Sequence, residues 1–245
     1  MSAAIIEQVV RWHVESLFLY DDRERMRFVR EPGYVEPDLD PAPRVYLHRS
    51  PNGNTWRVRS DLPDDLVAEI DALCRSEPTL PLPPREADRP RINDAMIALL
   101  ERHAPVRHVH RGPTWWLPVQ PHIPSTTKLV TPDTAAVLLG AHFSGRLHSP
   151  AGWERGGLAA SIEDGVAVAL CFCARVIEQA AEAGVETVEA FRGRGHARAA
   201  VACWAESMRA QGRLPLYSTA WENVASRRVA AALDAVAYGE DWSLN

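Results

Sequence analysis

The sequence predicts an α/β fold joined to an N-terminal α+β unit, and three observations carry that expectation. From about Lys128 onward, short β-prone runs alternate with segments of helical period. One of those runs, ending at Thr187-Val188, passes through a glycine-containing turn directly into a helical segment. The first half is instead interrupted by most of the chain's 19 prolines, which break regular elements and favour loops.

Residues 3–20 place Ile6, Val9, Val10, Val14, Leu17 and Phe18 at helical spacing. The segment EPGYVEPDLDPAP then reads as a loop. Strand-like stretches at 44–48 and 55–59 flank the turn sequence SPNGN. In DLPDD, Asp61 can cap a helix with Pro63 in its first turn, and Leu66, Ile70 and Leu73 share a face. A helix at about 92–103 and a β-prone stretch holding Trp115 and Trp116 follow. The loop PVQPHIPST marks a boundary that divides the chain into residues 1–124 and 125–245. Beyond it, LVTPDTAAVLL reads as strand and helix. GLAASIEDGVAVALCFCARV reads as two strands turning at Asp164-Gly165, and AAEAGVETV as a third. The helix after RGRGHA carries Val201, Trp204 and Met208 on one side and ends near Gly212. LPLYSTAW is a strand, Asn223 caps a short helix, and VAYGEDWSL closes the chain as a strand.

Composition narrows the function. With 27 basic and 32 acidic residues the net charge is −5, which gives no footprint for nucleic acid and none for an anionic membrane surface. The start MSAAIIEQVVRWH lacks a cationic lead and carries Glu7, so it reads as a helix rather than a signal peptide. The longest apolar run, Val166 to Ala174, is too short to cross a bilayer as a helix. The four cysteines lack metal-site spacing and are expected as reduced thiols in a cytoplasmic protein, with Cys171 and Cys173 on one strand face. His108 and His110 could share a metal on a strand, but no third ligand stands at a persuasive spacing, and no metal is expected.

The chemistry concentrates in Thr187-Val188-Glu189-Ala190-Phe191-Arg192-Gly193-Arg194-Gly195-His196-Ala197. A strand–turn–helix of this kind presents several backbone N–H groups to one point, and the helix N-terminus adds partial positive charge there. Gly193 and Gly195 let phosphates approach the backbone, Ala197 keeps the helix close, and Arg192 and Arg194 add charge at the rim. A solvated turn that merely caps a helix would have the same short motif.

This stretch resembles the acetyl-CoA signature of the GNAT N-acetyltransferase superfamily, Arg/Gln-x-x-Gly-x-Gly/Ala, with Arg192, Gly195 and Ala197 at the matching positions. About thirty residues on, TAWENVASRRVAAALDAVAYGED resembles the superfamily's second coenzyme-contacting segment, with Asn223 and Ser226 at its Asn and Ser/Ala positions. The resemblance covers roughly residues 128–245. It implies a mixed, twisted sheet with helices on both sides, and transfer of an acetyl group from acetyl-CoA to an amine in a ternary complex. A small-molecule amine is expected over a protein.

The resemblance further implies that a backbone N–H at Thr187–Val188 polarises the thioester carbonyl and that Glu182 acts as general base, with Glu178 and Glu186 as competitors. Two positions depart from the pattern: Ala230 stands where many members carry a proton-donating tyrosine, and Asp234-Ala235 replaces a Gly-Phe. Those departures leave open a second reading, a non-catalytic coenzyme-sensing or interaction module on the same fold. The N-terminal unit, with Trp115 or Trp116 beside the boundary, is expected to wall the acceptor side.

Overall fold

A computed structural model describes residues 3–120, 122–148 and 157–245. The first helix, α1 (Ala3–Leu17), buries Ile6, Val9, Val10 and Val14, as its spacing requires. It gives way to a small hairpin, β1 (Phe18–Tyr20) and β2 (Met26–Val29). The SPNGN hairpin is present as β3 (Val45–Ser50) and β4 (Gly53–Val58). Helix α2 (Asp64–Ser76) has Pro63 rather than Asp61 at its N-cap position. Asp61 is drawn instead into a two-pronged ion pair with Arg59, and Asp64 and Asp65 place negative charge in the helix's first turn. Helix α3 (Asn93–Glu101) and strand β5 (Val109–Trp116) complete the first half.

The second half runs β6 (Thr127–Val130), α4 (Pro132–Leu139), β7 (Leu158–Glu163), β8 (Val166–Val176), β9 (Ala180–Thr187), α5 (His196–Ala210), β10 (Leu214–Ser218), α6 (Val224–Ala232) and β11 (Val236–Leu244). Asn223 caps α6 by accepting from the Ser226 N–H at 3.0 Å. Gly212 takes the left-handed conformation just past α5, at φ 77°.

Nine strands form one sheet in the order β4-β3-β11-β5-β10-β9-β8-β7-β6, and neighbours are antiparallel except β9 and β10. The sheet runs across the expected boundary at 124/125. Strand β11, the last in sequence, pairs with both β3 and β5, and β5 lies between β11 and β10. Apart from the small β1–β2 hairpin, the first half therefore contributes its strands to the common sheet. Local pattern fixes strands but not their distant partners, which is why the proline-rich loop looked like a division.

Strand alternation sorts the core onto two faces. On one face α5 packs Val201, Trp204 and Met208 against Cys171, Cys173, Ala181 and Tyr217, while α2 and α3 cover Leu47 and Trp242. On the other face α1 covers Tyr46, Leu216 and Tyr238, and α4 covers Leu158, Ala160 and Leu170. Each fully buried large apolar side chain contributes roughly 1.5–3 kcal/mol, so α5 alone anchors firmly through its three.

Candidate active site

The parallel pair β9–β10 holds together only as far as Leu216 opposite Glu182; past that point β9 continues to Thr187 while β10 ends at Ser218. The two strands thus come apart, and the ends facing the gap lack ladder partners. Val188 N–H donates to the Val168 carbonyl at 3.0 Å, so the antiparallel alternation turns the Thr187 N–H the other way, toward the gap. Of the expected pair Thr187–Val188, Thr187 is the one whose amide can serve a bound carbonyl; the Val188 amide is already spent on the sheet.

At the same end of β9 a single 3-10 turn, Glu189–Phe191, leads into α5. Gly193 and Gly195 have φ of 77° and 89°, and a Cβ on either would meet nothing within 4 Å. Among the described residues, no backbone N–H from Gly193 through Arg198 donates to another protein group. Six successive amides at a helix N-terminus, with open space before two glycines, form an anion cradle and fit a pyrophosphate. The Arg192 Nε–H donates to the Thr187 carbonyl at 3.4 Å, which braces the turn. Arg194 is paired with Glu163 at 3.0 Å. The His196 ring joins Ser161 Oγ (2.9 Å) and Glu163 (3.0 Å), so the side chain ties α5 to β7 and only its backbone remains for a ligand. Ala197 follows on the first turn, half-buried.

Glu182 lies at the fork and is 6% exposed. It projects to the face opposite α5, where its carboxylate accepts a hydrogen bond from Ser218 Oγ across the gap. Its two sequence competitors are elsewhere: Glu178 is exposed in the β8–β9 turn, and Glu186 is exposed and paired with Arg146.

Behind Glu182 lies a buried network that sequence reading missed. Asp241 on β11 accepts from the Tyr46 hydroxyl (2.6 Å) and joins His48 Nδ1 (2.8 Å) and His13 Nε2 (2.8 Å). Burial alone would raise the Asp241 pKa, but the two histidines overcome it and hold the carboxyl well below its usual range. Burial lowers both histidines; for His13 the Asp241 charge, aided by Glu182, reverses this and raises it, while His48 stays lowered. The charges in the network thus favour the proton on His13 and the ionised form of Asp241, and disfavour a proton on His48. Gly239 is required beside it, because a Cβ there would collide with the His48 ring.

Residues 127–234 match the family model described as GNAT acetyltransferase. The C-terminal half of this chain has the GNAT acetyltransferase fold. Among solved structures, a protein described as a GNAT-family acetyltransferase from Novosphingobium aromaticivorans is 22% identical with a TM-score of 0.43. That match covers 57% of this chain and 65% of the other, just under two thirds of that relative's length. A GCN5-related N-acetyltransferase-like protein from Streptococcus suis is 16% identical over 83% of this chain and 85% of its own, with a TM-score of 0.46. A GNAT-family acetyltransferase from Colwellia psychrerythraea is 14% identical over 100% and 98%, with a TM-score of 0.44. The chain matches no curated protein.

In the GNAT half the second motif sits on the α5 face. Asn223 is exposed at the start of α6, and Ser226 Oγ lies 2.6 Å from the Tyr217 hydroxyl. Tyr217 follows the last residue of β10 that pairs with β9 and packs in the same cluster as Ala230. Burial pushes its phenol up to about 12, against the lowering hydrogen bond with Ser226, so it stays protonated at neutral pH and can donate a hydrogen bond.

On the opposite face a cavity of about 590 Å³ opens beside Glu182. Leu17, Phe18, Val29 and Pro41 wall it, and Arg175, Glu182 and Asp241 line its floor. Those wall residues belong to the N-terminal half, and neither Trp115 nor Trp116 is among them. Trp115 packs toward Tyr217 on the α5 face, and Trp116 stacks on Tyr238 beneath α1. His110 borders the far end of the cavity with His108.

Proposed function

We propose that the chain is an acetyl-CoA-dependent N-acetyltransferase that transfers the acetyl group directly to an amine bound in the same cleft. The observation that supports this best is the coincidence at one gap in the sheet: an unbonded amide array on one side and a buried carboxylate, Glu182, beside a cavity on the other. Bound acetyl-CoA supplies an activated acyl group on sulfur. The Gly193–Arg198 amides hold its pyrophosphate, and Asn223 and Ser226 border its path.

Glu182 takes the proton that the amine sheds as its nitrogen lone pair forms the new C–N bond. The Thr187 N–H donates to the carbonyl oxygen as negative charge builds there, an interaction stronger in the transition state than before it. The C–S bond then breaks, the electron pair leaves on sulfur, and a proton returns the thiolate to a thiol. Ser218 holds the Glu182 carboxylate toward the gap, so the base is oriented before substrate arrives.

Calorimetric titration with acetyl-CoA, followed by thiol release with a panel of amines, tests the reading. Binding with amine-dependent thiol release is the expected result. Binding without release from any amine would instead support the non-catalytic module, which the alanine at position 230 favours. No binding would refute both.

A further inference from the structure

We infer that the acceptor is an amino carboxylate, an α-amino acid with an apolar side chain, whose carboxylate is held by Arg175 while its amine faces Glu182. The inference rests on reading Glu182 as part of an acetyl-transfer site and adds the acceptor's chemical class. Arg175 on β8 is the cross-strand partner of Glu182 on β9, and both line the same cavity. Directly opposed residues have Cβ atoms only about 5 Å apart, so one small molecule can reach both.

The guanidinium is poorly satisfied for a group in this position. Its Nη1 donates to the Ala174 carbonyl at 2.6 Å. Its Nε is shut off from solvent and has no partner among the described residues. Its Nη2 has only the Glu31 carboxylate, at 4.0 Å, beyond hydrogen-bond length. Nη2 is thus left without a partner at hydrogen-bond length, and a carboxylate in the cavity can take it through a charge-assisted hydrogen bond.

Neither Glu182 nor Asp241 fills that place. Glu182 is turned the other way, toward Ser218 on the opposite neighbour strand. Both oxygens of Asp241 are taken by His13, His48 and Tyr46. An anion supplied from outside completes the arginine, and a cationic or neutral amine on the same molecule meets the carboxylate of Glu182. Leu17, Phe18, Val29 and Pro41 make one side of the cavity apolar and suited to an aliphatic or aromatic side chain, while Asp40 and His110 stand on its polar remainder.

The test uses the full chain with acetyl-CoA and measures thiol release with leucine and phenylalanine against their decarboxylated counterparts, isoamylamine and phenethylamine. The expected kcat/KM for each amino acid is about tenfold or more above that of its amine, the size of a charge-assisted hydrogen-bond effect. Arg175→Met should bring that ratio close to one, mainly by raising KM for the amino acid, and Arg175→Lys should restore part of it. A wild-type ratio at or below one, or a ratio retained in Arg175→Met, overturns the inference and leaves acetyl transfer standing. Should no acceptor release thiol, calorimetry decides. Heat with acetyl-CoA but none on subsequent titration with leucine or phenylalanine overturns the acceptor class alone, whereas no heat with acetyl-CoA overturns the transfer reading beneath it.

Discussion

Gly195 and Gly212 make a matched pair at the two ends of α5. Their φ values are 89° and 77°, and a Cβ built on either meets nothing within 4 Å. Valine at either position therefore brings the same left-handed backbone strain, roughly 1–3 kcal/mol, without a steric clash inside the protein. In a chain of this size that lowers Tm by about 2–4 °C per kcal/mol, for both variants alike. Only Gly195 borders the unbonded amides of Gly193–Arg198. A side chain projecting there displaces the pyrophosphate from at least two amides. At about 1.5–3 kcal/mol for each hydrogen bond to a charged group, Gly195→Val should weaken acetyl-CoA by about 10²–10⁴-fold. Gly212→Val should bind like wild type. Isothermal titration of both folded variants reads the difference, with thermal unfolding as the control for strain. Near-wild-type affinity in Gly195→Val, or an equal loss in Gly212→Val, would refute the cradle.

Three further outcomes follow from the same geometry. Glu182→Gln keeps the shape of a buried side chain at the fork and should lower turnover by about 10²–10⁴-fold without changing acetyl-CoA affinity; undiminished turnover passes the proton to water. Stability should peak near neutral pH. The depressed His48 contributes stability above 6.5 that is lost as pH falls, the depressed Asp241 adds a further loss below 3.8, and the raised His13 contributes stability below 6.5 that is lost as pH rises through its folded pKa. His13→Gln should therefore flatten the alkaline limb of urea midpoints measured from pH 4 to 9, and an unaltered limb would remove His13 from the network's energetics. A fragment starting at Ser125 should fail to fold, because it strips β5 from between β10 and β11 and β3 from β11; a cooperative transition in that fragment would contradict this.

What the sequence discloses and what it hides divides along distance in the chain. The cradle was legible because it is built from consecutive residues: a strand, two glycines and a helix start within Thr187–Ala197. The Asn223 cap was legible for the same reason, three residues from its donor. Glu182 was named by resemblance, with Glu178 and Glu186 as competitors, and only the pairing places it opposite Leu216 at the fork. Nothing local says that Arg175 faces Glu182, because that pairing follows a register shift between Cys173 and Arg175. His13 and Asp241 are 228 residues apart and read separately as one helix histidine and one strand acid. Each gains meaning only through the other, because a buried charge is tolerated when a distant partner reaches it.

The coincidence of cradle and fork has a topological cause. β9 and β10 are the sheet's parallel neighbours, and parallel strands need a crossover, which here is α5. A crossover helix starts where the first strand ends. The N-terminus of α5 must therefore stand at the same end of the sheet as the C-terminal ends of β9 and β10. That is the end where the pair is free to separate, since pairing is complete near Leu214–Leu216 and no later residue of β10 joins β9. Segment 180–218 thus places unbonded amides and an open strand edge together without help from the rest of the chain, the arrangement by which α/β proteins bind ligands at strand C-termini. The N-terminal half acts on the other face. It brings Phe18, Val29 and Pro41 over the Glu182 side of the gap and locks α1 down through His13 and Asp241. On this account changes in acceptor choice arise in residues 17–43 and at Arg175, while coenzyme affinity answers to Gly193–Arg198, and the two sets of substitutions should combine additively when their effects on kcat/KM are measured together.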